Sequence, residues 1–222
     1  MTAVLAPAAT LPAAPPPRHE AAAPSPLALP GSDELPRKLW TRDEYHHLLE
    51  QGFLIEGSRF ELLEGEIVAK MPQDRKHIVA CMRGQQALMG VFGVAHVQTQ
   101  GPIAPNDYNE PEPDIVVLRN RVQDYMEDHP GPADILLAVE VANTSLRADR
   151  TVKRAVYARA GIPEYWLMDV NGRTLTVFRE PGPDGWASET TLTDADAVSP
   201  LAAPDAPIAV ADLLPPPAPP AP

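Results

Sequence analysis

Hydrophobic residues recur with helical spacing in two parts of the chain, which predicts helices over residues 42–50 and 77–92. The first helix begins with Thr41-Arg42-Asp43-Glu44, the Thr-x-x-Glu pattern of a capping box. A third helix is expected over residues 147–160. It is followed by Gly161, which suits the left-handed conformation that often ends a helix.

Other apolar runs predict strands, because they are short and rich in β-branched residues. Two hairpins are expected, one around the Glu64-Gly65 turn and one around Asn171-Gly172. The predicted strands cover residues 60–68 (as a hairpin), 94–99, 115–118, 135–141, 165–170 and 175–178. Strands and helices in this order predict an α/β (α+β) fold with a central mixed β-sheet flanked by helices.

The 28 prolines of this 222-residue chain are concentrated near its two ends. Proline removes backbone donors and disfavours both helix and sheet. Residues 1–36 and 199–222 are therefore expected to be disordered or polyproline-like Ala/Pro-rich tails. Residues 37–198 form the predicted domain. The extended tails would suit binding to other proteins, although nothing in them specifies a partner.

The sequence favours a cytoplasmic protein. No basic region precedes Leu5 as it would in a signal peptide, and no apolar run approaches the ~18 residues that a membrane span needs. Cys81 is the only cysteine, which excludes a disulfide framework. Its apolar helical setting predicts a packed core residue rather than a nucleophile.

Two carboxylates stand in apolar strands, where burial is costly unless the charge is paired or binds a cation. Asp114 opens the run 115–118, and Glu140 lies inside 135–141. If the two strands are neighbours, both carboxylates converge on one point and offer the oxygen ligands that magnesium prefers. Each residue alone also has a structural explanation, as an ion pair for Glu140 and a loop end for Asp114.

The helix that follows Glu140 brings further candidates. Asp149, Lys153 and Tyr157 are spaced four residues apart and share one helix face, so Lys153 could reach the strand ends. A surface Asp149–Lys153 pair is the plainer alternative. Arg150 and Arg154 belong to the most basic element of the chain, which predicts either a phosphate-facing surface or a solvated helix face.

Three further groups are weaker candidates. Glu61 and Glu64 point to opposite faces of their strand, so only one of them could face the site. His77 begins a helix, where it would contact a phosphate or simply act as a cap. Residues 143–145 are expected to cap the basic helix or to bind a metal-bound water.

Together these motifs resemble the Uma-two family of restriction-endonuclease-like proteins, over about residues 38–180. The final motif, with the sequence GIPEYWLMD, is the most specific of them. In chain order the motifs are Phe60-Glu61-Leu62-Leu63-Glu64-Gly65-Glu66-Ile67, His77, Pro113-Asp114-Ile115-Val116-Val117, Val139-Glu140-Val141, Asp149 with Lys153, and Gly161-Ile162-Pro163-Glu164-Tyr165-Trp166 with Asp169.

The resemblance implies a PD-(D/E)XK nuclease fold and a metal-dependent endonuclease that hydrolyses phosphodiester bonds in DNA. By that likeness Asp114 and Glu140 are the metal ligands for Mg²⁺ or Mn²⁺, and Glu61 joins them as a catalytic residue. The E-x-K motif would place a lysine at position 142, where this chain has Ala142. Lys153 looks like the relocated lysine. His77, Arg150 and Arg154 are the expected substrate-binding residues.

The net charge of −12 favours a different function, because a phosphate-binding surface should be locally basic. A catalytically weak or inactive nuclease-fold module, acting through nucleic acid or protein partners, is therefore the alternative to the enzyme. A homodimer would fit the enzyme, since nuclease domains of this kind often need two active sites to cut both strands.

Overall fold

The computed structural model describes residues 37–54, 59–70, 72–143 and 149–217. Four helices lie in this part of the chain: α1 (Arg42–Glu50), α2 (Arg75–Phe92), α3 (Arg154–Ala160) and α4 (Val210–Leu213). The strands are β1 (Phe60–Leu63), β2 (Glu66–Ala69), β3 (Val97–Thr99), β4 (Ile115–Leu118), β5 (Ile135–Ala142), β6 (Glu164–Asp169), β7 (Thr174–Gly182), β8 (Gly185–Thr193), β9 (Ala197–Val198) and β10 (Ile208–Ala209). A π-helical turn, Asp149–Lys153, leads directly into α3.

Within the described residues, the central sheet has six strands in the order β3-β4-β5-β6-β7-β8. The β5–β6 pair is parallel and the other neighbours are antiparallel. A parallel pair needs a crossover connection, and here α3 provides it between β5 and β6. The predicted fold class, a mixed sheet flanked by helices, is confirmed.

The two faces of the sheet bury two separate apolar clusters. Helices α2 and α4 pack on one face, over residues that include Val139 and Trp166. Helix α3 packs on the other, where Tyr157, Tyr165 and Phe178 form an aromatic cluster. Alternation along β5 therefore sends neighbouring side chains to different helices, which places Glu140 and Ala142 on the α3 face.

Local sequence signals define several element ends as expected. The capping box before α1 has both of its hydrogen bonds, between Thr41 and Glu44. Gly161 ends α3 with φ 74°. The Asn171-Gly172 hairpin joins β6 to β7, and its turn leaves no room for a side chain at Gly172. A Cβ there would lie 2.6 Å from Asp169 Oδ2.

The predicted carboxyl-terminal tail is wrong for residues 199–217. Ile208, Val210, Leu213 and Leu214 are buried in the cluster beneath α2, so this segment belongs to the domain. Its few apolar residues lack strict periodicity and are flanked by prolines on both sides, so that composition alone predicts a disordered tail. Residues 1–36 and 218–222, predicted to be disordered, lie outside the described residues.

Two details of the strand prediction also change. Residues 94–96 form a 3-10 turn, so β3 begins only at Val97. Strand β8 was not predicted, because its outward-facing residues are mostly threonine and glutamate. Among the described residues, no helix has the length and apolar character required to cross a membrane.

Candidate active site

Glu140 lies near the end of β5, 3% exposed, in a strand whose other residues are all buried. Its Oε1 accepts hydrogen bonds from Lys153 Nζ at 2.9 Å and from the Tyr157 hydroxyl at 2.7 Å. Both donors come from the segment predicted to reach back over the strand ends. The π-helical turn followed by α3 thus brings Lys153 and Tyr157 to the same carboxylate oxygen.

Asp114 immediately precedes β4, which pairs with β5, and is 6% exposed. Its Oδ2 accepts a hydrogen bond from the backbone N–H of Val141 at 2.8 Å. His77 Nε2 lies 3.2 Å from the same oxygen. The hydrogen bond to Val141, the residue after Glu140, fixes the two predicted ligand residues on adjacent strands at one edge of the site.

Glu61, on β1, is the third carboxylate of this region and is 4% exposed. Its Oε1 lies 3.0 Å from Lys153 Nζ and 3.0 Å from Lys70 Nζ, and it accepts the backbone N–H of Glu112 at 2.8 Å. Glu64 is instead only partly buried at the hairpin turn, with its side chain 40% exposed, and pairs with Arg159 at 2.7 Å. Of the two candidates on this hairpin, Glu61 therefore faces the site.

Asp149 completes the group, with Oδ1 3.9 Å from Lys153 Nζ. At 3% and 6% exposure, Asp149 and Lys153 are buried, so the surface ion pair considered from the sequence is wrong. We refer to Glu61, Asp114, Glu140, Asp149 and Lys153 as the carboxylate corner. Lys153 contacts three of these four carboxylates, and Lys70 also contacts Glu61.

The surrounding groups change the pKa of Glu140. The pKa of this carboxyl is raised to about 8, and burial is the largest cause. Lys153 acts in the opposite direction, while the charges of Asp149, Asp114 and Glu61 raise the pKa further. Burial alone would lower the pKa of Lys153, but attraction to Glu140, Glu61 and Asp149 outweighs it and raises the pKa, keeping the ammonium charged.

His77 and Cys81 extend the site along α2. A carboxylate can only accept hydrogen bonds, so His77 Nε2 carries the proton that it shares with Asp114, and Nδ1 can accept from the Cys81 thiol at 3.4 Å. Burial raises the pKa of Cys81, with the charge of Asp114 acting in the same direction. The thiol is thus protonated, as a packed core cysteine should be.

The corner contains the type of ligand atom that a hard divalent cation prefers. Asp114 and Glu140 supply carboxylate oxygens from adjacent strands, and the surrounding negative charge exceeds what Lys153 can offset. Ligand atoms of His77, Cys81 and Asp114 also lie within 4.8 Å of one another, although a thiol and an imidazole are softer ligands than magnesium prefers.

The structure does not bring the two predicted arginines to the carboxylate corner. Arg150 contacts the hydroxyl of Thr176 on β7 at 3.4 Å. Arg154 pairs with Glu189 on β8 at 3.1 Å and lies over the ring of Phe178. Both guanidinium groups are drawn toward the β7–β8 side of the sheet, because the inward face of this segment is occupied by Lys153 and Tyr157.

Two further predictions concern Ala142 and residues 143–145. Ala142 is fully buried and faces the aromatic cluster, so the place where the E-x-K motif has its lysine is filled by apolar packing. Asn143 contacts the side chains of Asp74 and Asn171. Residues 144 and 145, the other predicted caps, lie outside the described part of the chain.

Sequence reasoning missed Lys70 and Glu112. Lys70 Nζ donates to the Glu112 carbonyl oxygen at 2.8 Å and lies 3.3 Å from the Glu112 carboxylate. These contacts join the β1–β2 hairpin to the segment before β4. No local pattern could have revealed them, because the partners are 42 residues apart and neither stands in an apolar run.

A solved structure shares the fold of this chain. In solved structures, the chain is similar to "a putative nuclease belonging to DUF820 from Anabaena variabilis ATCC 29413", with a TM-score of 0.60 and 18% sequence identity over 78% of this chain and 96% of that one. At this identity the likeness shows the fold alone. A search of curated proteins found no match.

The family comparison is more decisive. The model of the Uma2 family, described as "Putative restriction endonuclease", matches residues 42–211. That span covers most of the chain and includes every residue of the carboxylate corner. The protein therefore belongs to the Uma2 family of restriction-endonuclease-like proteins.

Proposed function

We propose that this protein is a metal-dependent endonuclease that hydrolyses phosphodiester bonds in DNA. Family membership supports nuclease chemistry in general. The single observation that carries the finer proposal is the carboxylate corner, in which Glu61, Glu140 and Asp149 all lie within 3.9 Å of one ammonium group. Lys70 contacts Glu61 as well, but the one cation described against Glu140 is Lys153, which it shares with two other carboxylates. Burial of this much negative charge is costly without a further cation.

Asp114 and Glu140 are the residues that would hold Mg²⁺ or Mn²⁺. A divalent cation there would lower the pKa of a bound water and neutralise charge on the phosphate. Hydrogen bonds from Val141 and His77 orient Asp114, while Tyr157 and Lys153 orient Glu140. Fixed ligands of this kind lose little freedom on binding, which favours a specific cation site.

Lys153 is the proposed catalytic cation. Its ammonium group touches Glu140 and Glu61, so it lies beside the position where an attacking water would be held. From there it can orient that water and stabilise negative charge as it develops on the phosphate. Glu61 positions Lys153 and, through Lys70, ties the β1–β2 hairpin to the site.

His77 is the proposed substrate contact, because it is the imidazole nearest to Asp114 and lies in the first turn of α2. Arg150 and Arg154 are not included, since their guanidinium groups contact Thr176 and Glu189. Net charge of −12 makes the cation essential to this proposal, because the approaching phosphate would otherwise meet like charge.

The test is cleavage of supercoiled plasmid and of labelled single-stranded DNA and RNA with Mg²⁺ or Mn²⁺. We expect metal-dependent cutting of DNA by the wild type, lost in Asp114→Asn. Glu64→Gln is the matched control, because it removes a carboxylate from the same hairpin as Glu61 but outside the site. No cutting by a folded, metal-binding wild type would overturn the enzyme and favour the binding module. Cutting of RNA alone would overturn the choice of substrate.

A further inference from the structure

A second group of metal-ligating side chains lies at the amino-terminal end of the domain, apart from the carboxylate corner. It consists of His46 on α1, Glu110 in the segment before β4, and His129 in the connection between β4 and β5. One ligand atom from each lies within 4.8 Å of the other two. None of the proposed catalytic residues contributes to this group.

The distances between these atoms suit a small tetrahedral ion. His46 Nε2 is 2.8 Å from each carboxylate oxygen of Glu110, and His129 Nε2 is 3.8 Å from Oε1. Ligands bound at about 2.0–2.1 Å around a tetrahedral Zn²⁺ would be about 3.3 Å apart. The observed distances lie on either side of that value, so small side-chain movements would bring all three atoms into coordination.

The surroundings also resemble a metal site. Glu110 is held by Arg42, whose Nε donates to Oε2 at 2.8 Å, and its side chain is only 5% exposed. The two imidazoles are 38% and 35% exposed, so an ion can enter from solvent and a water can complete the coordination. A buried, oriented carboxylate facing two accessible imidazoles is typical of metal ligands fixed by their neighbours.

We propose that His46, Glu110 and His129 bind a divalent transition-metal ion of the Zn²⁺ class. Two imidazoles and one carboxylate favour such an ion over magnesium, which prefers oxygen ligands alone. The site joins α1 to a segment 64 residues further along the chain and to the loop that carries His129. Its expected effect is to stabilise the domain, and it does not depend on the proposed nuclease activity.

Zn²⁺ binding is best measured by equilibrium dialysis and by the visible spectrum of the Co²⁺ form. The background is the variant Cys81→Ala/Asp114→Asn, because His77, Cys81 and Asp114 could also hold Zn²⁺. We expect one Zn²⁺ per chain in this background and a tetrahedral Co²⁺ spectrum. A saturating excess of Zn²⁺ should raise the melting temperature by roughly 5–10 °C.

Adding His129→Ala to the background should weaken Zn²⁺ binding at least about 10-fold and abolish the thermal shift. Loss of this imidazole should leave the fold intact, because it is a third exposed and contacts the other two ligand residues, Glu110 and His46, rather than the core. His47→Ala is the matched control, an exposed histidine next to His46 on the same helix. The proposal is overturned if the background binds no Zn²⁺, or if His129→Ala binds it as tightly as His47→Ala does.

Discussion

Two glutamates on neighbouring strands, Glu140 on β5 and Glu164 on β6, are almost completely buried and yet have opposite surroundings. Glu164 accepts hydrogen bonds from Arg179, from Trp166 Nε1 and from the backbone N–H of Leu201, with distances of 2.7–3.0 Å. Its charge is matched by one guanidinium group. Glu140 instead shares the single ammonium group of Lys153 with Glu61 and Asp149.

Under the proposed function, this difference separates a structural carboxylate, Glu164, from a metal ligand, Glu140. Burial by itself marks neither, since Glu164 is 0% and Glu140 is 3% exposed. What distinguishes Glu140 is that the one cation described in contact with it, Lys153, is shared with two other carboxylates. A buried ion pair with its hydrogen bonds satisfied needs nothing more, whereas a surplus of buried negative charge favours the binding of a cation.

The largest expected effect is that of Glu140→Gln on cleavage. Loss of a proposed metal ligand should lower the rate by about 100–1,000-fold or more. In metal-free buffer above pH 8 the melting temperature should be unchanged or higher. A carboxyl whose pKa is raised on folding opposes folding once ionised, and glutamine removes that cost. Plasmid cleavage measures the rate, and thermal unfolding measures the melting temperature. A large fall in melting temperature would contradict the expectation that ionised Glu140 opposes folding.

Glu164→Gln should have the opposite pattern. Glutamine removes the charged acceptor of Arg179, Trp166 and Leu201, and weakening these hydrogen bonds should cost about 1.5–3 kcal/mol of unfolding free energy, since Arg179 itself is a third exposed. Cleavage per folded molecule should stay close to that of the wild type. Urea unfolding and plasmid cleavage below the melting transition provide the comparison. If Glu164→Gln lost activity without losing stability, the distinction between the two glutamates would be wrong.

The variant Lys153→Arg tests whether the geometry of the lysine matters as well as its charge. The charge is kept but the geometry changes, so we expect cleavage to fall about 10–100-fold. Lys70→Arg is the matched control, because both lysines lie 3.0 Å from Glu61 Oε1 and only Lys153 contacts Glu140. Steady-state rates of DNA cleavage measure both variants. Equal effects would show that contact with Glu140 has no special importance.

The smallest expected effect concerns Glu61 and pH. Burial alone would raise the pKa of Glu61, but Lys153, Lys70 and the Glu112 N–H outweigh it and lower the pKa. The ionised carboxylate therefore stabilises the fold above its usual pKa, and this contribution disappears as the pH falls. Glu61→Gln should cost about 1–3 kcal/mol at pH 7 and progressively less in acid.

Urea unfolding at several pH values measures this difference. The control is Glu64→Gln, since the side chains of Glu64 and its partner Arg159 are 40% and 44% exposed and their pairing should contribute little. A constant difference between Glu61→Gln and the wild type down to pH 3 would contradict the expected linkage.

Part of this site was predictable because its residues violate local patterns. Asp114 and Glu140 stand in apolar strands, and Lys153 stands on the inward face of the next helix, as its four-residue spacing from Asp149 and Tyr157 indicates. The choice between Glu61 and Glu64 required the structure, because alternation places them on opposite faces without saying which face is inside.

The remaining differences come from contacts that are distant in sequence. Arg154 is as basic as a phosphate ligand should be, yet Glu189 on an unpredicted strand pairs with it. The proline content of residues 199–217 predicts a disordered tail, whereas isolated apolar residues of this segment, such as Ile208 and Leu213, are buried in the core. Composition describes a segment by itself. The order of this segment instead depends on its packing against α2 and the sheet, which are distant in sequence.

The most direct test of the central claim is Mn²⁺ binding, measured by titration calorimetry on three proteins: wild type, Glu140→Gln and Glu164→Gln. The account predicts that wild type and Glu164→Gln bind Mn²⁺ with similar affinity below their melting transitions, while Glu140→Gln binds at least about 10-fold more weakly. Equal Mn²⁺ affinity in all three proteins would contradict the claim that the surplus of carboxylates around Glu140 forms the cation site.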